Sequence, residues 1–476
     1  MTTCTEMEHR EQHRPSFYNF FIRERQGRSC LLFNGLRTSL IRLPPALTRV
    51  ARDMLAMPQV EPSHIPSELH SFLSMLVQGG FLIDNACDEL GMIRERLKNA
   101  REDKCLHLII APTLDCNLGC SYCYQARRRG TMNIEVCRQI IQFVREELAS
   151  GEGSGIRLDW YGGEPLLARN VIAYLSEQLL QLSSDFRCNY EASIATNGTL
   201  LDASAGAMLL ACRVKSCQVT IDGNSEIHNL RRPYRDGRPS FDTILKNIRT
   251  LWGKMDIAVR INLDTENVRC AEQLLAVFQE EGFFASSNFG FFPYVAMVSP
   301  INLCKLPPCG VLNAVEFYKL SLEFQQVVFA YSDKKRLQPI FDFPHIVNTA
   351  CGALRRNTYG VDPEGFYFKC GLEIGDDTKR CGHVATDTQW AQCSKWRTYD
   401  PLDDQECAAC RYLPFCMGGC PKVQFDQNLH YSKDGCSYWK NNLEEIVRVY
   451  VQATAEMSEL SSYRLPMEGS AKAAKS

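Results

Sequence analysis

Three cysteines within eight residues, Cys116-x3-Cys120-x2-Cys123, constrain this chain more than any other feature. They follow LHLIIAPT (106–113), an apolar run that reads as a strand, so the cysteine loop leaves that strand's carboxyl end. Three thiolates at this spacing can hold three irons of a cubane and leave the fourth iron open to a chelating molecule. A zinc site is the competing reading. Structural zinc is closed by four ligands, however, and no His or fourth Cys stands at a suitable spacing within the loop.

A second cysteine pattern lies toward the other end: Cys351-x13-Gly365-x4-Cys370, then Cys407-x2-Cys410-x5-Cys416-x3-Cys420, then Cys436. Seven thiolates suit two clusters better than one zinc, with a zinc ribbon-like module as the alternative. The chain holds 23 cysteines in all. The N-terminus, MTTCTEMEHREQHRP, has no apolar core of a secretory signal, and no run approaches the roughly 18 apolar residues of a membrane helix. A cytoplasmic location is expected, without a membrane partner, and cysteines clustered in a reducing compartment point to metal or redox chemistry. Scattered ones such as Cys188, Cys212 and Cys217 read as small buried hydrophobes. The net charge of −2 argues against a general nucleic-acid binder.

Strand and helix patterns divide the chain. Residues 16–43 read as three short strands with turns at Gly27 and Asn34-Gly35. Helical patterns near 45–57 and 66–78 and a short strand, FLI, complete a small α+β module over 16–95, and a charged helix near 88–103 leads onward. From Leu106, strand candidates (LHLIIAPT, IRLDWYGG, YEASIATNG, SCQVTIDG, DIAVRINLD and FFASSNFGFF) alternate with helices at 133–149, 170–182, 202–211, 240–253 and 270–281. Regular βα alternation predicts an α/β fold with a parallel sheet. Six units are too few for a complete eight-stranded barrel, so a partial (β/α)6 TIM-type barrel is expected over 104–300. A bridging helical segment follows over 301–344, with one amphipathic helix at 313–332, and then a Cys-rich, strand-poor region over 345–440.

At these residues the chain resembles the radical S-adenosylmethionine (SAM) superfamily. Tyr122 precedes the last loop cysteine, and Gly162-Gly163-Glu164-Pro165 closes the second strand as the family's GGEP segment does. Asn197 and Asp222 fall at the ends of the third and fourth strands, where barrel enzymes place working groups. The resemblance implies that Cys116, Cys120 and Cys123 hold a [4Fe–4S] cluster and that SAM meets Gly162, Gly163, Glu164, Pro165, Asn197, Asp222 and Arg232. Glycines at 162 and 163 would let the backbone approach the methionine amino group, and Arg232 would hold the SAM carboxylate; a plain surface arginine is the alternative for Arg232.

The seven later cysteines resemble the SPASM domain of radical SAM enzymes that modify peptides. This implies two auxiliary [4Fe–4S] clusters, one on Cys407, Cys410, Cys416 and Cys436 and the other on Cys351, Cys370 and Cys420, three clusters in all. Anaerobic sulfatase-maturating enzymes carry an extra cysteine where this chain has Asn357, and a basic Asp where it has Gly371. The second auxiliary cluster is therefore expected to have an open iron or a distant ligand such as Cys381 or Cys393. Length and layout are similar to the maturation enzymes of quinohemoprotein amine dehydrogenase, which implies thioether bonds between Cys sulfur and Asp or Glu methylene carbons of a small protein subunit. A flavodoxin or ferredoxin would supply electrons. Residues 16–95 resemble the module that grips leader peptides, with a structural cap on the barrel as the alternative. Other SPASM outcomes (epimerisation, C–C crosslinking, formylglycine formation) and a non-catalytic cysteine-rich metal scaffold stay open on the residues alone.

Overall fold

The central element is a mostly parallel sheet whose strands alternate between a helix-facing apolar side and an inner side. In β6 (Cys105–Ile110), Leu106, Leu108 and Ile110 are buried while Cys105, His107 and Ile109 take the inner positions. The same period runs through β7 (Gly155–Trp160), β8 (Asn189–Thr196), β9 (Val214–Thr220), β10 (Asp256–Leu263) and β11 (Phe291–Met297). These six strands pair in parallel, in sequence order. Parallel neighbours need crossovers, supplied here by helices such as Ile134–Ala149, Arg169–Asp185 and Phe241–Leu251. Asn133 and Asp202 start two of the helices by accepting from Val136 N and Ala205 N. The expected α/β partial barrel is therefore the observed fold. The computed structural model describes residues 12–25, 29–125, 127–151, 153–285, 290–298, 310, 312–331, 344–386, 393–425, 436 and 438–457.

Three differences from the expectation matter for the site. The last parallel strand lies at 291–297, not 283–292, because Phe283 and Phe284 turn into an aromatic cluster with Phe291, at ring separations of 5.0 and 5.7 Å. A short helix, Ser225–Arg231, was not expected; Asn224 caps it through Ile227 N. The Cys-rich region is strand-poor as expected, but its few short strands join the barrel sheet. Its strands β12 (Thr358–Val361), β13 (Phe366–Phe368) and β14 (Gly382–His383) extend the same sheet, with β12 parallel to β6 and the other two antiparallel, to give nine strands in an open order.

The N-terminal part contains β1 (His13–Pro15) paired with β5 (Leu82–Asp84), and a three-stranded sheet of β2 (Asn19–Arg23), β3 (Cys30–Asn34) and β4 (Ser39–Leu43). Gly27 lies outside the described residues. The Asn34-Gly35 turn is a four-residue loop rather than a two-residue hairpin. Buried Asn34 accepts from Leu36 N and Arg37 N there, and Thr38 takes the left-handed conformation. The sheet's inner side (Phe20, Ile22, Leu31, Phe33) packs against Phe415 and against Leu443, Val447 and Val451 of the helix Tyr438–Met457. Half of the bridge over 301–344 lies outside the described residues, but its helix is present as Ala314–Tyr331. No described helix is long and apolar enough to cross a membrane.

Candidate active site

Two backbone segments hold the cysteine loop from either side. Gly119 N donates to Pro233 O at 2.7 Å, Ser121 N to Arg231 O at 3.1 Å, and Arg235 N to Asn117 O at 3.1 Å, so the segment 231–235 runs along 117–121. Opposite, Gly163 N donates to Thr113 O (3.1 Å) and Glu164 N to Asp115 O (2.8 Å). A Cβ on Gly163 would stand 2.1 Å from Asp115 O, and one on Gly162, at φ +122°, 2.3 Å from Thr113 O. Both glycines are thus required by contact with the cysteine loop itself, a physical cause different from the expected approach to a bound cofactor. Pro165 opens a buried turn, Pro165–Ala168, whose Leu166 N is capped by Glu164.

Glu164 is fully buried and both carboxylate oxygens are in use. Oε1 accepts from Thr196 Oγ1 at 2.7 Å and Leu166 N at 3.0 Å, and Oε2 from Asn197 N at 2.7 Å. Burial pushes its carboxyl up, and those three donors offset part of the shift. The acid clamps the end of β8 and so places the Asn197 side chain. Asn197 Nδ2 donates to Asn117 Oδ1 (2.8 Å) and to the Cys116 sulfur (3.6 Å).

On the other flank, Tyr122 OH donates to Asp222 Oδ2 and accepts from Asn262 Nδ2 (3.0 Å) and from Arg232. Asp222, with no exposure, also accepts Asn262 N at 3.1 Å, and Arg231 reaches it at 3.6 Å while bonding Asp264 at 2.6 Å. Arg232 is buried, not a surface arginine; its guanidinium offsets part of the rise that burial imposes on the Cys120 thiol. Sequence reasoning missed Asn117, Arg231 and Asn262. The helix cap at Asn224 was the available signal for Arg231, whereas nothing local marks Asn262.

The later cysteines fall into two groups. Cys370 is within electrostatic reach of Cys351 and Cys420, and Cys416 of Cys407, Cys410 and Cys436. Burial pushes the Cys370 thiol up to about 12 and that of Cys416 up to about 11. Tyr399 stands in reach of both groups. The first group is braced by buried cations. Lys369 Nζ donates to the carbonyls of Arg355, Thr358 and Arg356 (2.6, 2.9 and 3.3 Å), and Lys422 pairs with Glu373 at 3.5 Å. Tyr161, whose hydroxyl meets that of Tyr124, lies in reach of Cys123 on one side and Cys370 on the other. A Cβ on Gly371 would stand 3.5 Å from Ile109 on the inner side of β6. Cys381 and Cys393, the candidates for a distant ligand, are joined in a disulfide.

Residues 110–276 match the family model of the radical SAM superfamily. The chain carries a radical SAM domain. A cysteine-type anaerobic sulfatase-maturating enzyme of Clostridium perfringens is 24% identical over 351 residues, covering 67% of this chain and 90% of that protein. An uncharacterized protein of Methanocaldococcus jannaschii is 31% identical over 166 residues, and the match spans only 54% of its length. The radical SAM cyclopropyl synthase TigE of Paramaledivibacter caminithermalis is 23% identical over 206 residues, 39% of this chain and 42% of that one. In fold, the chain is similar to native anSMEcpe with bound AdoMet: TM-score 0.56 and 20% identity, over 73% of this chain and 99% of that one.

The radical SAM domain is expected to bind SAM and a [4Fe–4S] cluster, and its residues fit both. Among the described residues, buried Arg232 Nε has no hydrogen-bond partner, as befits a donor awaiting a carboxylate. Cys120 is in electrostatic reach of both Cys116 and Cys123 along one loop. Among the described residues no three His, Cys, Asp or Glu side chains converge on one ion position. A cubane instead offers each thiolate its own iron.

Proposed function

We propose that this radical SAM enzyme modifies a peptide or small protein, joining Cys sulfur to methylene carbons of Asp or Glu side chains. Cys116, Cys120 and Cys123 would hold the SAM cluster, with Arg232 on the SAM carboxylate. Gly162, Gly163, Glu164, Pro165, Asn197 and Asp222 shape that site mainly by fixing the loop, Tyr122 and Asn197. Two auxiliary clusters would sit on Cys351, Cys370 and Cys420 and on Cys407, Cys410, Cys416 and Cys436, for about twelve irons per chain. Residues 16–95 would grip the substrate, 104–300 carry the barrel and 345–440 the auxiliary cysteines, with a flavodoxin or ferredoxin as electron donor.

SAM on a reduced cluster supplies a 5′-deoxyadenosyl radical able to abstract a hydrogen atom from an unactivated C–H bond. The protein's share is to place the substrate and exclude water. The observation that carries the thioether reading is Gly371 lying on Ile109 at the barrel interior, beside Cys370. A glycine there offers no base and leaves space for a substrate side chain next to the three-cysteine group. The sulfatase-maturating relative supports a second reading, formylglycine formation, because the match covers 90% of that protein.

Mass spectrometry separates the two. The reconstituted enzyme is incubated with SAM, a reductant and a Cys-, Asp- and Glu-containing peptide encoded beside its gene. Loss of two hydrogens together with one alkylatable thiol per bond is expected. A mass change with every thiol still alkylatable rules the thioether out.

A further inference from the structure

The inner sides of three adjacent parallel strands carry a polar chain with no task in the chemistry so far. Ile109 is in register with Asp159, and Asp159 with Ser193. His107 Nε2 lies 2.6 Å from Asp159 Oδ2, and Ser193 Oγ donates to Asp159 Oδ1 at 2.6 Å. Burial alone would raise the Asp159 carboxyl; the hydrogen bonds from His107 and Ser193, together with the electrostatic pull of His107 and Arg157, outweigh it and hold the group below its ordinary value. An ionised carboxylate only accepts, so Nε2 carries a proton, and in the neutral imidazole Nδ1 keeps its lone pair.

Nδ1 lies beside the residue that follows Cys351. A Cβ on Gly352, the residue after Cys351, would lie 3.8 Å from His107 Nδ1. Thr358 is His107's partner in β12, and Asn357 O accepts from His107 N at 2.8 Å. The His107 side chain is 16% exposed, shielded yet reachable. The other charged groups near this end of the strands are the Arg157–Glu191 pair (3.2 Å), Arg157 being His107's register partner in β7, the Arg355–Asp103 pair (2.7 Å), and Lys369, which donates to Thr358 O at 2.9 Å and lies in electrostatic reach of Cys351.

We infer that His107 accepts the proton of a substrate thiol brought beside Cys351, with Asp159 orienting the imidazole and Ser193 fixing Asp159. This rests on the thioether reading. The substrate S–H bond breaks with its electron pair staying on sulfur, and the proton forms the Nδ1–H bond. The imidazolium is then paired with Asp159, and no electron or co-reactant is required.

The test uses the anaerobically reconstituted full chain and N-acetylcysteine amide as the thiol probe. Calorimetric titration at pH 7.5 in buffers of different ionisation heat counts protons released per thiol bound. Wild type should release close to none, and His107→Asn about one per thiol with affinity weakened about tenfold. Histidine-selective 15N NMR of the wild type should show His107 protonated at Nε2, and Asp159→Asn should remove that bias. Thiol binding with the same proton release in wild type and His107→Asn, or an Nδ1–H tautomer in wild type, overturns the role of His107 and leaves the thioether reading standing. Absence of thiol binding to the wild type overturns both.

Discussion

The side-chain amide of Asn197 donates to the Cys116 sulfur at 3.6 Å. Hydrogen bonds to cluster sulfurs help set an iron–sulfur potential, because they stabilise the added negative charge of the reduced state. Asn197→Ala should therefore lower the midpoint potential of the SAM cluster while leaving the iron content unchanged. A redox titration followed by electron paramagnetic resonance checks this.

Glu164 governs where Asn197 sits, through the 2.7 Å bond to its main-chain N–H. Glu164→Gln keeps the shape but turns an amide NH2 toward protein donors. The cost of a buried unmet polar group is about 1–3 kcal/mol, read as a fall in unfolding free energy. If the amide oxygen faces Asn197 N, the loss should appear at Thr196 and Leu166 instead, and the Cys116 contact should persist.

Two glycines should respond oppositely to alanine. At Gly163 the new Cβ would stand 2.1 Å from the Asp115 carbonyl, so Gly163→Ala must displace the cysteine loop and should reduce iron incorporation there. At Gly371 the neighbour is Ile109 at 3.5 Å, an ordinary contact, so Gly371→Ala should keep its full iron complement. Iron and sulfide assays on both variants decide it.

Arg232 offers a buried Nε with no hydrogen-bond partner among the described residues. A hydrogen bond to a charged group contributes about 1.5–3 kcal/mol, so Arg232→Met should weaken SAM binding roughly 10- to 100-fold. Equilibrium dialysis with labelled SAM measures it. Unchanged affinity would place the carboxylate elsewhere.

The parts of this molecule that could be read from sequence are those whose cause is local. Cys116, Cys120 and Cys123 are legible because a cluster imposes short ligand spacing, and β6 to β10 because alternation such as that of Leu106, Leu108 and Ile110 records one buried side. The last parallel strand was misplaced because Phe283 and Phe284 look like strand residues until their contact with Phe291 is known. The extension of the sheet by β12 to β14 was invisible, since these strands are two to four residues long and Thr358 finds His107 across most of the barrel. The same distance effect hid the true neighbours of Gly162, Gly163 and Glu164, which are groups of the cysteine loop and of β8. It also hid the His107–Asp159 pair, because neither residue carries a motif.

The central claim is that Cys116, Cys120 and Cys123 support reductive cleavage of SAM. Chromatographic measurement of 5′-deoxyadenosine, from anaerobically reconstituted wild type and from a variant with all three changed to Ala, tests it most directly. The account predicts steady formation by the wild type, and loss of the product together with about four irons in the variant. Undiminished 5′-deoxyadenosine from the triple variant would contradict it.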